Sequence, residues 1–232
     1  MMICLSLSHK TPEGLLKLIQ YFGNKADILE IRVDLLSEPS KLDFQSMLFP
    51  GHPPVVITNR MKKEGGGFKG DEKQRIEILE KAAEAGADFI DIEFATSQDL
   101  RASLVSRAKS LGCKVIMSFH DFEKTPDETT LLGLFSSMAS AGADVVKIVT
   151  MARDQLDFFN FRPVFQESRG SGVPVIAFCM GEKGGFSRVV SPLLGGFLTF
   201  AAPDSSSQTA PGQIPLEKMR RLLAMLAPQP LP

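Results

Sequence analysis

Ala85-Gly86-Ala87-Asp88-Phe89-Ile90-Asp91-Ile92 is echoed further along by Ala141-Gly142-Ala143-Asp144-Val145-Val146-Lys147-Ile148. In both stretches an amphipathic segment ends at a glycine, which tolerates the left-handed conformation of a helix C-terminus. A short run rich in β-branched residues follows. Weaker copies are Lys25-Ala26-Asp27-Ile28-Leu29-Glu30-Ile31, Gly112-Cys113-Lys114-Val115-Ile116-Met117 and Gly172-Val173-Pro174-Val175-Ile176-Ala177. Gly112, Gly142 and Gly172 recur about every 30 residues, the length of one βα unit. Working outward from these runs predicts eight strands, at 3–8, 27–34, 54–60, 89–94, 114–120, 145–151, 174–180 and 197–202. Thr11-Pro12-Glu13 and Thr125-Pro126-Asp127 each read as an N-cap, a proline at the first helical position and a first-turn acid. The stretch 72–85 puts Ile76, Leu79, Ala82 and Ala83 on one helical face. Eight alternations predict an α/β fold, a (β/α)8 TIM barrel in a single domain over residues 1–227. A Pro-rich tail, 228–232, follows as an extended end or a linker stub. A doubly wound open sheet is the alternative, but no G-x-G-x-x-G follows the first strand.

Composition narrows the function. The 232 residues carry 26 Lys+Arg against 27 Asp+Glu, so no global charge favours nucleic acid or a membrane surface. Cys4, Cys113 and Cys179 are far apart and form no C-x-x-C pair, which fits a reducing compartment rather than a disulfide framework. The first residues lack a basic leader or a small-residue cleavage site, and no apolar run is long enough to span a bilayer. A cytoplasmic protein is expected, with no metal, no cofactor, no nucleic acid and no membrane partner.

Parallel barrel strands are buried on both faces and ordinarily read as continuous apolar runs. Several of these do not. Glu30, Arg32 and Asp34 alternate on one strand, Asp91 and Glu93 on another, and Ser118 and His120 on a third. Thr58 and Arg60 end a strand, and Lys147 interrupts one. With a side-chain period of two, each set shares a face. Ile31, Val33, Ile90, Ile92, Met117 and Phe119 take the opposite face and suit a ring of helices. The charged faces therefore point toward the barrel axis and its C-terminal mouth, where such folds place active sites. A purely structural network, with Arg32 or Arg60 paired to Glu30 or Glu93, accounts for two or three of these residues.

Lys147 is flanked by Val145, Val146, Ile148 and Val149, so its amine is expected in a poorly solvated site. Desolvation and the charge of Arg32 or Arg60 would lower its pKa. A neutral amine attacks a ketone or aldehyde to form a Schiff base. The alternative role is an ion pair with Asp91, Glu93 or Glu30. His120 alone among the three histidines ends a strand beside other polar groups, and a histidine poised near pH 7 shuttles protons. No H-x-H or H-E-x-x-H spacing supports a metal. Two glycine-rich segments, Lys62 to Gly70 and Gly181 to Gly185, read as flexible loops, and composition alone puts Glu64 on the surface.

Taken in order, Glu30-Ile31-Arg32-Val33-Asp34, Arg60 with Glu64-Gly65-Gly66, Asp91-Ile92-Glu93, Ser118-Phe119-His120-Asp121-Phe122, Asp144-Val145-Val146-Lys147-Ile148, Ser187-Arg188 and Ala210-Pro211-Gly212-Gln213 resemble the type I 3-dehydroquinate dehydratases. The likeness spans nearly the whole chain. It implies dehydration of 3-dehydroquinate to 3-dehydroshikimate in the shikimate pathway of aromatic amino acid biosynthesis. By this resemblance Lys147 forms the imine with the C3 ketone, His120 is the acid/base and Glu64 orients it. Arg188 and Gln213 match the residues that grip the substrate carboxylate, and Glu30, Arg32 and Arg60 match those that hold its hydroxyls. Thr209 stands where the family usually has Ser, with a hydroxyl still able to donate. Bacterial relatives suggest a homodimer. A class I aldolase or transaldolase-like barrel, acting on phosphorylated sugars, is the competing enzyme, and a catalytically silent assembly barrel the competing non-enzyme.

Overall fold

Eight parallel strands and the helices between them follow one another in the predicted alternation. The strands are β1 (Met2–Leu7), β2 (Ile28–Arg32), β3 (Val55–Thr58), β4 (Phe89–Glu93), β5 (Lys114–Asp121), β6 (Val145–Met151), β7 (Val175–Met180) and β8 (Leu198–Ala202). A ninth, β9 (Ile214–Pro215), pairs with β8 and had no sequence signal. The helices are α1 (Pro12–Phe22), α2 (Phe44–Met47), α3 (Glu72–Glu84), α4 (Gln98–Ser110), α5 (Glu128–Ser140), α6 (Arg162–Ser171), α7 (Gly181–Gly184), α8 (Ser187–Leu193) and α9 (Leu216–Leu226). This computed structural model describes residues 1–48 and 51–226. The tail predicted at 228–232 lies outside them.

The sheet order β7-β6-β5-β4-β3-β2-β1-β8-β9 wraps a single TIM-type barrel domain. No ladder joins β7 to β8. That seam is bridged by one backbone bond, Phe197 N–H to the Val175 carbonyl at 2.8 Å, and by the Phe178 and Phe200 rings at 6.3 Å. The repeated junctions between helix and strand have a double use. Gly86, Gly112, Gly142 and Gly172 all have positive φ, as a left-handed helix ending demands. The weakest copy differs, since Gly23 closes α1 at φ −52. The aspartates act as clamps. Asp27 accepts from Ile3 N–H at 2.8 Å, Asp88 from Val55 N–H at 2.9 Å and Asp144 from Val115 N–H at 2.8 Å. Each precedes an even-numbered strand and holds the start of the odd-numbered strand before it.

The two faces of the sheet separate as expected. Ile31, Val33, Ile90, Ile92 and Met117 are buried with Leu79, Leu104 and Phe135 of the helices, and Phe119 packs against them. Inside the barrel, Cys4, Ile28, Val56, Phe89, Ile116, Val145, Ile176 and Leu198 form an apolar floor. Two residues further along the strands the inward positions become Ser6, Glu30, Thr58, Asp91, Ser118 and Lys147, all buried. Polar side chains therefore stand on a dry floor.

Two local expectations need correction. β2 ends at Arg32, and Asp34 lies in a one-turn 3-10 helix, Val33–Leu35, instead of the strand. There it accepts from Arg32 (2.8 and 2.7 Å) and from Gly67 N–H (2.9 Å). The cap of α5 is Asp127, which accepts from Thr130 N–H at 2.8 Å. The Thr125 hydroxyl is engaged by Thr150 and the Met151 carbonyl instead.

Candidate active site

The residues singled out from sequence, Glu30, Arg32, Arg60, Glu64, His120, Lys147, Arg188, Thr209 and Gln213, all line one cavity at the C-terminal mouth. Phe178, Phe200, Val149 and Met180 complete its wall on the β6–β8 side.

Lys147 extends from β6 to Asp91 Oδ2 at 3.0 Å, with Glu30 Oε1 at 3.7 Å and the Phe200 ring centroid at 4.2 Å. The ion pair and the inward amine, offered as alternatives from the sequence, are both present. Arg60 donates to the same Asp91 oxygen at 2.7 Å and to Ser118 Oγ, and stands 3.2 Å from Glu93. Burial alone would raise the Asp91 pKa; Arg60 and Lys147 outweigh it and hold the carboxyl well below the usual range. Burial likewise opposes charge on Arg32 and Arg60. Asp34 beside the first, and Asp91 and Glu93 beside the second, hold both firmly protonated. Glu30 accepts from Ser6 and from Thr58 (2.9 Å).

Glu64 is the largest correction to the reading from composition. It ends a 3-10 turn, Lys62–Glu64, and is only 7% exposed. Gly65 follows in the left-handed region, and a Cβ on Gly66 would strike the Arg60 carbonyl, so the glycines fold the turn tightly inward. Glu64 Oε2 thereby meets both the backbone N–H of His120 at 3.0 Å and its Nδ1 at 2.9 Å. Burial pushes the Glu64 pKa up to about 8, although Arg60 counters it. Burial, with Arg60 and Lys147 adding to it, holds His120 well below its ordinary value instead of near neutrality. The imidazole is neutral at pH 7.

Gly181–Gly184 is also no loose loop. It forms α7, packed so that a Cβ on Gly184 would meet the Cys179 backbone. Ser187 Oγ accepts from Cys179 N–H at 2.8 Å and donates to the Gly184 carbonyl at 2.6 Å, which fixes the start of α8. Arg188 follows at 1% exposure, its guanidinium 4.5 Å over the Phe178 ring and 3.0 Å from the Pro211 carbonyl. Its Nε has no partner, and among the described residues no carboxylate pairs with it. Burial brings its pKa down to about 10. Thr209 and Gln213 bond to each other, and the Thr209 hydroxyl lies 2.9 Å from Ser6 Oγ.

Sequence reading left Ser6, Ser118 and Arg75 without roles near the site. Ser6 had a signal: it shares an inward face with Cys4. Arg75 had one too, a charge in register with Leu79 and Ala82 on an apolar helical stripe. Among the described residues, no three His, Cys, Asp or Glu side chains are grouped to hold a metal ion, and no helix is long and apolar enough to cross a membrane.

A parallel sheet curled into a barrel, with an amine, an imidazole–carboxyl pair and an unpaired guanidinium at its mouth, defines a barrel enzyme. The type I 3-dehydroquinase family model matches residues 3–230. The chain is 36% identical over 223 residues to a 3-dehydroquinate dehydratase of Desulfotalea psychrophila, covering 96% of each. It is 37% identical over 231 residues to the one from Methanopyrus kandleri, covering 97% of this chain and all of the relative. Its fold superposes with a TM-score of 0.87 on a type I 3-dehydroquinate dehydratase from Clostridium difficile, solved with covalently modified comenic acid, at 26% identity over 97% of this chain and 91% of that one. The chain belongs to the type I 3-dehydroquinase family, hydro-lyases that act as 3-dehydroquinate dehydratases in the shikimate pathway.

Proposed function

We propose that the chain dehydrates 3-dehydroquinate through an imine on Lys147, with His120 as the acid/base. The observation that carries this reading is the opening of Lys147, His120 and the unpaired Arg188 onto one cavity. Lys147, an ammonium in its ion pair with Asp91, condenses with the C3 ketone: the ketone oxygen leaves as water with two of the three nitrogen-bound hydrogens, and the third stays on nitrogen, giving a protonated imine that withdraws electrons from C2. Asp91, held ionised by its cations, orients the amine and is a poor acceptor for its proton. His120 takes the C2 proton and returns it to the departing C1 hydroxyl. Hydrolysis of the imine consumes one water and frees Lys147, so one water is lost per turnover.

Arg188 suits the substrate carboxylate, because a buried guanidinium without a counter-ion is completed by an anion. Gln213 and Thr209, bonded beside it, position the same end. Glu30, Arg32 and Arg60 line the same cavity from β2 and the end of β3, as hydroxyl-binding groups would. Borohydride added with 3-dehydroquinate should fix a ligand-derived mass on Lys147, read by peptide mass spectrometry. An unmodified Lys147 in protein that turns the substrate over would exclude the imine.

A homodimer and a cytoplasmic setting belong to the same proposal. Exposed Leu156, Phe159, Phe186 and Leu194 support the first, and light scattering of the purified protein tests it. Three free cysteines support the second, with fractionation of the producing cell as its check.

A further inference from the structure

Arg75 is the buried charge that the proposed chemistry leaves unused. It belongs to α3, outside the barrel wall, yet it is only 2% exposed. Its guanidinium donates to Glu93 Oε2, to Thr96 Oγ1 at 2.7 Å and to the Asn59 carbonyl at 3.3 Å. Glu93 is fully buried and divides its two oxygens. Oε2 faces Arg75, while Oε1 accepts from Met61 N–H at 3.0 Å and stands 3.2 Å from Arg60. Both of those partners lead into the cavity. Arg60 shares Asp91 with Lys147, and Met61 opens the turn that delivers Glu64 to His120.

We propose that Arg75 is a positioning residue for the reaction, acting through Glu93 to fix Arg60 and the Glu64 turn and so the placing of Lys147 against His120. This rests on the function proposed above. A lost Arg75 leaves Glu93 with a bare oxygen and an uncompensated charge. Glu93 then draws on Arg60, whose hold on Asp91 loosens. The charged and titratable groups facing Glu64 are Arg60 after β3, Asp91 and Glu93 of β4, and His120 of β5. More uncompensated negative charge among them raises the pH at which Glu64 ionises. A brace that merely stiffened α3 against the barrel would lower stability and leave that pH unmoved.

The test is a double-mutant cycle of Arg75→Met and Glu93→Gln in the full chain, with Arg75→Lys as the conservative variant. Arg75→Met should lower kcat by about 10- to 100-fold, the effect of sub-ångström to ångström misplacement, with KM changed far less. Its kcat/KM–pH profile should move to higher pH. Arg75→Lys should recover part of both. In the Glu93→Gln background, Arg75→Met should cost little more, because the relay is already cut. A folded Arg75→Met with unaltered kcat and pH profile would overturn the proposal, as would losses that multiply across the cycle. If Arg75→Met does not fold, the Arg75→Lys/Glu93→Gln cycle reads the same coupling, and multiplying losses there overturn it too. A wild-type protein that neither turns over 3-dehydroquinate nor traps it on Lys147 instead removes the underlying function.

Discussion

Arg188 carries its charge at 1% exposure with no carboxylate pairing with it among the described residues, and this imbalance has two opposite consequences. Replacing it with Met removes an anion receptor and a buried, uncompensated cation together. Arg188→Met should raise KM for 3-dehydroquinate by about 10- to 100-fold, the worth of one charged hydrogen bond. It should also raise the thermal unfolding midpoint, because desolvating an unpaired charge is costly. Steady-state kinetics and a thermal melt on one preparation check both. The Glu64–His120 pair gives a pH dependence. With Glu64 ionised, His120 Nδ1 donates to it and Nε2 keeps a free lone pair for the substrate proton. With Glu64 protonated, Nδ1 accepts and Nε2 carries hydrogen, which disables the base. Since burial raises Glu64 to about 8 in the free protein, kcat/KM should climb as pH rises through that value. Glu64→Gln should abolish this rise; a profile with the same rise in that variant would refute the assignment. Neither effect was visible from composition, which set Glu64 on the surface. The glycines that fold its turn inward were visible, but not the Arg60 carbonyl they must clear.

At the scale of elements, the Gly-Ala-Asp repeat was read from the chain as helix stop and strand start. Its clamping role was not, because the partner N–H lies one strand back in space and many residues back in sequence. Asp88→Ala frees the Val55 amide where a charged acceptor held it. The loss should be about 1.5–3 kcal/mol of unfolding free energy in a denaturant titration, with kcat nearly unchanged since Asp88 lies at the barrel's far end. Strand boundaries were legible to within one residue, except where β2 and β3 end two residues early. There the backbone leaves the sheet to carry Asp34 and Arg60, and side-chain periodicity continues past the last ladder bond. β9 was unreadable, being two residues long and held only by β8.

For the whole molecule, alternation and inward polarity were enough to place Glu30, Arg32, Arg60, His120 and Lys147 at one mouth, because parallel pairing in order leaves them no other common location, whereas Glu64, Arg188, Thr209 and Gln213 came only from the family resemblance. The seam was invisible, since nothing in β7 or β8 marks the missing ladder. It has a measurable consequence. The amides of β7 and β8 that face each other lack ladder partners apart from Phe197, so they should exchange hydrogen well before those between β4 and β5. Uniform protection around the ring would contradict this.

The aspartate device occurs before β2, β4 and β6 but not before β8, where Gly195-Gly196-Phe197 leads into the strand. The unit of construction is thus a quarter of the ring, and three quarters are latched shut while the fourth is left on a single hook. Because that fourth quarter also contributes Phe178, Phe200 and Arg188, the slackest join in the cylinder borders the Arg188 end of the cavity. Under the proposed function, the staves that would hold the ligand's acid are those with the fewest ties between them.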